Sequence, residues 1–550
     1  MSFVKKYLTL NRIVGAIMIF LISIIVFTLL WSIDKGIDLA DEGLHFVFSK
    51  PETVNNNGLF NYDLFFKLLY KAVQFDFDII SLRIIKLVSI VLLFILGIPF
   101  FRRSKLSIID NFFLAMAIFC SYTYLTQSLS YNSISFVLVL SYFYCYSYMI
   151  KATLFRQNTL FLLMAILSSL CYFVKPPLSL ALFGMTFILS TMSFTTWKWK
   201  QLLFRFLLIF VGYVAIQGLF QFIFSNYSFA KVLKDSMELS TYYGSYNKSV
   251  LIKRVVASFK WVFVLSLAGW CIAVLINKGR NNFKAVILSL FVIGVSLSYF
   301  FVSHLSSNEF DIFQYGLMII ASIGLGFFGY HLKWNNLTKQ DIGILILLFL
   351  APFLCSFGSN VYFFRTTQQY LFFWVLLLVY AKNIGLPFSK NILLSWYLIF
   401  SVFITIKIYN NVLENPDNQP QLSPNFVDFK YGNDNHINLD KHQAQYLIHL
   451  KEKLHKWSPN RKEIIGLYAM PGDIALTGYT NYYNPLIWDN FQWNFLRNRM
   501  LTNSEFKDKP MPILITKDLD KIQRQQLKGY LEVDSVKYYR NGYIYLLKPL

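Results

Sequence analysis

Asp41 and Glu42 open the first sizeable polar stretch of the chain, directly after the apolar run Ile13 to Trp31. Carboxylates at the edge of so apolar a segment are costly unless they are solvated or used. A carboxylate there can take the proton of an attacking hydroxyl, a role that typically contributes ~10²–10⁴ in rate. On a helix, sequence neighbours point about 100° apart, so the two acids cannot face one substrate together. One can face a cavity while the other holds a metal or a backbone amide. The pair also fits the first turn of a helix, where acids gain ~0.3–1 kcal/mol from the helix dipole. Spacing alone leaves both readings open. His45 stands four residues after Asp41, so both could reach one divalent cation. His304, with Glu309 and Asp311, offers further ligands in another loop. Hydrogen bonding is the plainer role for a lone histidine beside a carboxylate.

The elements that must position these residues are those of a polytopic membrane protein. Of 550 residues, 56% are hydrophobic and only 15% charged, and the mean hydropathy is +0.47. Such a composition lies far from that of a soluble domain. The net charge of +22 forms no single stripe. Its lysines and arginines sit in short clusters between apolar runs, as in cytoplasmic loops, which argues against nucleic acid as a partner. All five cysteines lie in or beside apolar runs, so there is no disulfide framework and no zinc-ribbon spacing. Lys5 and Lys6 before an apolar stretch resemble a signal peptide, but no small-x-small cleavage site follows. A retained signal-anchor helix fits better.

A spanning helix needs roughly 20 mostly apolar residues, and by that ruler about thirteen spans are expected. They fall near 11–31, 84–101, 109–128, 132–150, 158–174, 177–196, 203–224, 259–277, 284–303, 312–330, 341–357, 369–381 and 391–409. Basic clusters occupy alternate loops, from Lys5, Lys6 and Arg12 through Arg102, Arg103 and Lys105 to Lys382 and Lys390. The positive-inside rule then places the N-terminus in the cytoplasm, and an odd number of spans places residues 410–550 outside. Two outer loops carry apolar residues at helical spacing: Tyr62, Phe65, Phe66, Leu69 and Val73, then Phe229, Leu233 and Met237. These read as solvated surface helices or as interfacial helices shaping a cavity.

After Tyr409 a turn-rich linker, residues 415–420, precedes a small extracytoplasmic α/β domain, 410–550. In it Asp440 to Trp457 reads as a helix, and Glu463 to Ala469 and Pro512 to Thr516 as strands. Asp518 to Leu531 reads as a helix, and Val536 to Leu547 as a hairpin turning at Asn541-Gly542. It carries no P-loop, no G-x-G-x-x-G and no paired-histidine motif. It reads as an accessory module to the transmembrane domain, 1–409.

A first span followed at once by an external Asp-Glu, then interfacial helices, many spans and an external C-terminal domain resembles the GT-C class of membrane glycosyltransferases. The resemblance is to its bacterial branch of aminoarabinose transferases and protein O-mannosyltransferases. It implies that Asp41 is the catalytic base. Leu167 to Lys175 is similar to the family's span ending in an outward lysine, with Pro176 where Gly is usual. Ser356-Phe357-Gly358-Ser359-Asn360 is similar to a loop of bacterial members. Phe60-Asn61-Tyr62-Asp63 departs from the Glu-Lys-Pro-Pro of aminoarabinose transferases, and Ser130-Tyr131-Asn132 replaces an acid found at the start of the fourth span in many relatives. The Trp-Trp-Asp signature of oligosaccharyltransferases is absent.

Lys175 breaks the basic-inside pattern, since the topology puts it at the outer surface. A snorkelling lysine at a helix end is one reading. Neutralising the phosphate of a polyprenyl-linked sugar is the other, a point-charge role suited to lysine. Arg365 could grip the same phosphate bidentately or simply be solvated. The chain thus reads as a multi-pass bacterial inner-membrane enzyme. It would transfer a sugar from a polyprenyl-phosphate donor to a hydroxyl of a lipid, glycan or protein acceptor, with inversion. The rivals are a transporter or flippase of lipid-linked glycans and a non-catalytic subunit of an envelope assembly. A transporter would show inverted repeats and mid-membrane charges, which the sequence lacks.

Overall fold

In lipid every backbone N–H and C=O must be satisfied within the protein, so long apolar stretches become helices. The structure is a computed structural model. It describes residues 2–55, 61–124, 127–149, 152–192, 199–242, 248–278, 287–295, 298, 312–332, 337–357, 366–384, 390–414, 425–432, 434–459, 462–467, 470–481, 513–515, 530–537 and 543–549. The first helix, α1, spans Ser2–Trp31. Two short helices follow, α2 at Asp41–Ser49 and α3 at Asp63–Val73. The bundle continues with α4 at Ile79–Arg103, α5 at Ile108–Ala117, α6 at Tyr131–Met149, α7 at Leu154–Val174 and α8 at Pro176–Met192. Next come α9 at Trp199–Ile223, α10 at Phe229–Tyr242, α11 at Lys248–Lys278 and α12 at Ile312–His331. The last three are α13 at Lys339–Ser356, α14 at Phe372–Asn383 and α15 at Lys390–Tyr409.

Among the described residues seven helices are long and apolar enough to cross a membrane, and four shorter apolar helices accompany them. The chain is a multi-pass membrane protein. Of the expected span at 284–303, residues 287–295 and 298 are described, and they are helical. The two amphipathic stripes become α3 and α10, with Phe66 buried and Val73 and Met237 exposed. Within the bundle α7 packs on α6, α8 and α9, while α1 packs on α5 and α15. A partly buried ion pair ties three helices: Lys382 on α14 donates to both oxygens of the buried Asp110 on α5 at 2.7 and 2.9 Å, and Tyr397 on α15 donates to Asp110 at 2.7 Å.

Beyond α15 the chain forms an α/β portion. Strands β1 (Phe426–Tyr431) and β2 (Asn435–Asp440) make an antiparallel hairpin that the sequence reading did not anticipate. Helix α16, Lys441–Trp457, starts at the Asp440 cap and buries Ala444, Leu447, Leu450 and Leu454 on one face. A sheet of order β4-β3-β5-β7-β6 follows. Strands β3 (Glu463–Leu467), β4 (Thr480–Asn481) and β5 (Ile513–Ile515) run parallel. Strands β6 (Tyr530–Lys537) and β7 (Tyr543–Pro549) add an antiparallel pair, as the expected hairpin requires. Tyr530 and Leu531, expected to end a helix, are strand residues because they pair with Pro549 and Lys548. The rest of that expected helix lies outside the described residues. A short helix, α17, spans Pro471–Leu476.

One apolar cluster runs from Ile37, Leu39, Leu44 and Phe46 into Phe429, Tyr431, Leu447 and Ile474. The α/β portion is therefore packed onto the Asp41 loop and shares a core with it.

Candidate functional site

The loop between α1 and α2 is wired before it reaches Asp41. Arg83, near the start of α4, donates through Nη1 to the carbonyls of Ser32, Ile33 and Lys35, each at 3.0 Å, and through Nη2 to Gly36 at 2.7 Å. Its Nε and Nη2 also grip Glu42 at 2.8 and 2.7 Å, and the Ser128 hydroxyl donates to the same carboxylate. Both members of the pair are buried. Burial alone would raise the Glu42 carboxyl, but the charge and hydrogen bonds of Arg83 outweigh it and hold Glu42 below its ordinary range. Glu42, expected beside Asp41 in the chemistry, is placed as an anchor for the loop.

Asp41 lies at the first turn of α2, half-buried, with Asp38 bracing the turn: the Ala40 N–H donates to Asp38 Oδ1 at 3.0 Å and the Gly43 N–H to the Asp38 carbonyl at 2.8 Å. The α/β portion closes over this turn. The Gly472 N–H on α17 donates to the Leu39 carbonyl at 2.9 Å, and Gln443 donates to the Ile37 carbonyl at 3.1 Å. Gly43 and Gly472 touch backbone to backbone. A methyl group on Gly43 would sit 2.5 Å from Gly472 Cα, so neither position has room for a side chain.

On the next turn of α2, His45 shares a 2.7 Å hydrogen bond with the Tyr62 hydroxyl. Burial, against an opposing pull from Glu42, lowers the His45 pKa to about 3, with Lys86 adding to the fall. The imidazole is therefore neutral at physiological pH. Burial, with Tyr131, Asp63 and Asp41 beside it, pushes the Tyr62 hydroxyl well above its usual range. The Tyr131 ring lies 6.4 Å from Tyr62 and 5.8 Å from His45, centroid to centroid.

Lys175 stands on the far side of Tyr131, its ammonium 5.1 Å from the ring centroid. It is not the exposed snorkelling lysine of one sequence reading, being only 3% exposed. It caps α7 just before Pro176, and Tyr131, Asn132 and the end of α13 cover it. It donates to Asn132 Oδ1 at 2.9 Å and to the Cys355 carbonyl at 2.6 Å. Tyr370 donates to the same Asn132 oxygen at 3.0 Å. No carboxylate pairs with Lys175 among the described residues. The Asn61 N–H donates to the Phe173 carbonyl at 2.7 Å, fastening the Tyr62 loop to the end of α7. The structure thus brings Asp41, His45 and Lys175 into one polar cluster linked by Tyr62 and Tyr131.

Arg365, His304, Glu309, Asp311 and the Gly358-Ser359-Asn360 loop lie outside the described residues. Among the described residues no group of three or more His, Cys, Asp or Glu side chains could hold an ion. Sequence reasoning missed Arg83. A basic residue near the start of a span, one turn before Lys86, was the available signal. Lys86 is buried too, its ammonium 4.2 Å from the Tyr122 ring centroid.

A polar cavity of about 1550 Å³ opens beside the cluster, between α2, α3, the start of α10 and the α/β portion. Phe46 and Asn61, chain neighbours of His45 and Tyr62, form part of its wall. Asp41 and Lys175 do not, so the cavity adjoins the cluster rather than containing it.

No family model and no curated protein matches the chain. Among solved structures it is similar to ArnT from Cupriavidus metallidurans. The apo crystal structure gives a TM-score of 0.40 at 12% identity, covering 96% of this chain and 97% of that one. The crystal structure bound to undecaprenyl phosphate gives 0.41, with the same identity and coverage.

Proposed function

We propose that this chain is a membrane glycosyltransferase that moves a sugar from a polyprenyl-phosphate donor to an acceptor hydroxyl at the outer face of the membrane. The observation that carries the reading is the placement of a half-buried carboxylate, Asp41, and a buried ammonium with no carboxylate partner among the described residues, Lys175, in one cluster at one end of the bundle. A buried charge is strongly disfavoured unless an opposite charge meets it. A donor phosphate supplies that charge when bound. Lys175 then holds the phosphate, with Arg365 as a second candidate ligand for it, and the lipid tail lies between spans.

Asp41 accepts the proton of the attacking hydroxyl as the anomeric carbon changes partners. Inversion follows, because base and leaving group lie on opposite sides of a single displacement. Glu42 and Arg83 act as positioning residues: they fix the loop on which Asp41 stands.

Undecaprenyl phosphate is the direct probe of the donor site. Lys175→Met should weaken its binding to the purified protein in nanodiscs, while Asp41→Asn keeps it. Equal binding by Lys175→Met and the unaltered protein would remove Lys175 from the donor site.

A further inference from the structure

We infer that Asn132 is a second ligand of the donor phosphate, its side-chain amide N–H standing beside the Lys175 ammonium to meet the same anion. This rests on the glycosyltransferase reading above and adds a recognition residue to its donor site.

The chemistry of the neighbours fixes how the amide is turned. An ammonium donates hydrogen bonds and accepts none, so the atom of Asn132 that Lys175 meets at 2.9 Å is the carbonyl oxygen. Tyr370, just before α14, donates to that oxygen at 3.0 Å, which fills both of its lone pairs. The NH₂ end therefore points the other way. Asn132 is only 4% exposed, and its Nδ2 meets no acceptor among the described residues. Nor is that atom sealed in: it keeps accessible surface, which the unbonded amide nitrogens of Asn61 and Asn481 do not. Buried polar groups are normally satisfied, so a nearly buried amide with an open donor side calls for a ligand with acceptor oxygens.

Lys175 is in the same state. Of its three N–H donors one goes to Asn132 and one to the Cys355 carbonyl at 2.6 Å. The third meets no oxygen or nitrogen among the described residues. Because the two side chains meet at one carbonyl oxygen, their remaining donors are neighbours. The phosphate diester of a polyprenyl-linked sugar has two unesterified oxygens, one for each. The backbone adds to the attraction. Helix α6 begins at Tyr131 and α8 at Pro176, so Asn132 and Lys175 stand at the positive ends of two helices, where anions are favoured.

An amide suits this place better than a carboxylate. Aspartate at 132 would keep both acceptor bonds, but it would give Lys175 a counter-ion and repel the phosphate. Asparagine holds the ammonium without neutralising it.

Native mass spectrometry of the full chain in detergent, titrated with undecaprenyl phosphate, reads donor-site binding without turnover. Undecaprenol, which has the tail but no phosphate, is the control. Asn132→Asp is the sharpest variant, because its carboxylate still accepts from Lys175 and Tyr370. Its thermal midpoint should hold while undecaprenyl-phosphate affinity falls on the order of 100-fold, since a donor is lost and a like charge added. Asn132→Ala removes the donor without adding charge and should weaken that affinity about tenfold. Undecaprenol affinity should change in neither. A purely structural Asn132 requires the opposite, normal undecaprenyl-phosphate affinity in Asn132→Asp. That result would overturn the inference, as would equal losses for undecaprenol and undecaprenyl phosphate. If Lys175→Met loses affinity while Asn132→Asp keeps it, the donor site stands without Asn132. If both keep it, the donor site itself is overturned.

Discussion

Gly472→Ala places a methyl carbon 2.5 Å from the Leu39 carbonyl oxygen and 2.9 Å from Leu39 Cα. Both neighbours are backbone and cannot rotate away. Relief to ordinary contact, 3.4 Å or more, requires the α/β portion and the loop to part by about 1 Å. The 2.9 Å hydrogen bond from the Gly472 N–H to Leu39 stretches with it, a loss of roughly 1 kcal/mol. The turn that moves carries Asp41 two residues later. A displacement of ~1 Å at a reacting group costs on the order of 10²-fold in rate. Turnover in nanodiscs should therefore fall about a hundredfold, while hydrogen exchange speeds up in the segments 38–44 and 470–476. Gly218→Ala on α9 is the control, because a methyl group there meets nothing within 4 Å. Unchanged exchange and unchanged turnover in Gly472→Ala would refute the idea that the α/β portion holds the Asp41 turn in place.

Three further outcomes are expected. Glu42→Gln leaves the Arg83 guanidinium buried against a neutral amide, and breaking such a pair costs up to ~3–5 kcal/mol. Its thermal midpoint in nanodiscs should drop sharply; a normal midpoint with lost turnover would return Glu42 to the chemistry. Asp110→Asn strips the partly exposed Lys382 of its counter-charge and should destabilise by a smaller ~1.5–3 kcal/mol without altering donor affinity, checked by chemical denaturation and undecaprenyl-phosphate binding. His45 is held neutral by burial, with a pKa of about 3 against an ordinary 6.5. Since the folded value is depressed, its contribution is complete above pH 6.5 and is lost as pH falls from 6.5 toward 3. Melting temperatures measured between pH 7.5 and 5 should decline accordingly, and His45→Gln should flatten that decline.

Local signals carried much of the architecture. The apolar runs gave the helices, the stripes at Tyr62–Val73 and Phe229–Met237 gave α3 and α10, and Asp440 marked the start of α16. Asp41-Glu42 was legible because two acids beside a long apolar run stand out against their neighbours. What the two acids do differently was not legible, because it is decided by Arg83, 41 residues further along the chain. Lys175 was visible as an exception to the charge pattern, yet its burial depends on Asn132 and Cys355, which belong to other helices. The Gly43–Gly472 contact is more remote still. Each glycine lies in an ordinary turn-rich stretch, and only the docked fold shows that neither position can take a side chain. The hairpin of β1 and β2 escaped notice because half of its positions are polar (Asp428, Lys430, Asn435, His436, Asn438 and Asp440), so no apolar run marks its strands.

The central claim is that Asp41 is the base. Asp41→Asn keeps the size and one acceptor oxygen of the side chain but cannot take a proton at neutral pH. Single-turnover transfer from an undecaprenyl-phosphate sugar to an acceptor extract, followed by mass spectrometry, compares the variant with the unaltered protein. The account predicts a loss of about 10²-fold or more, with thermal midpoint and donor binding preserved. Near-normal transfer by Asp41→Asn would contradict it.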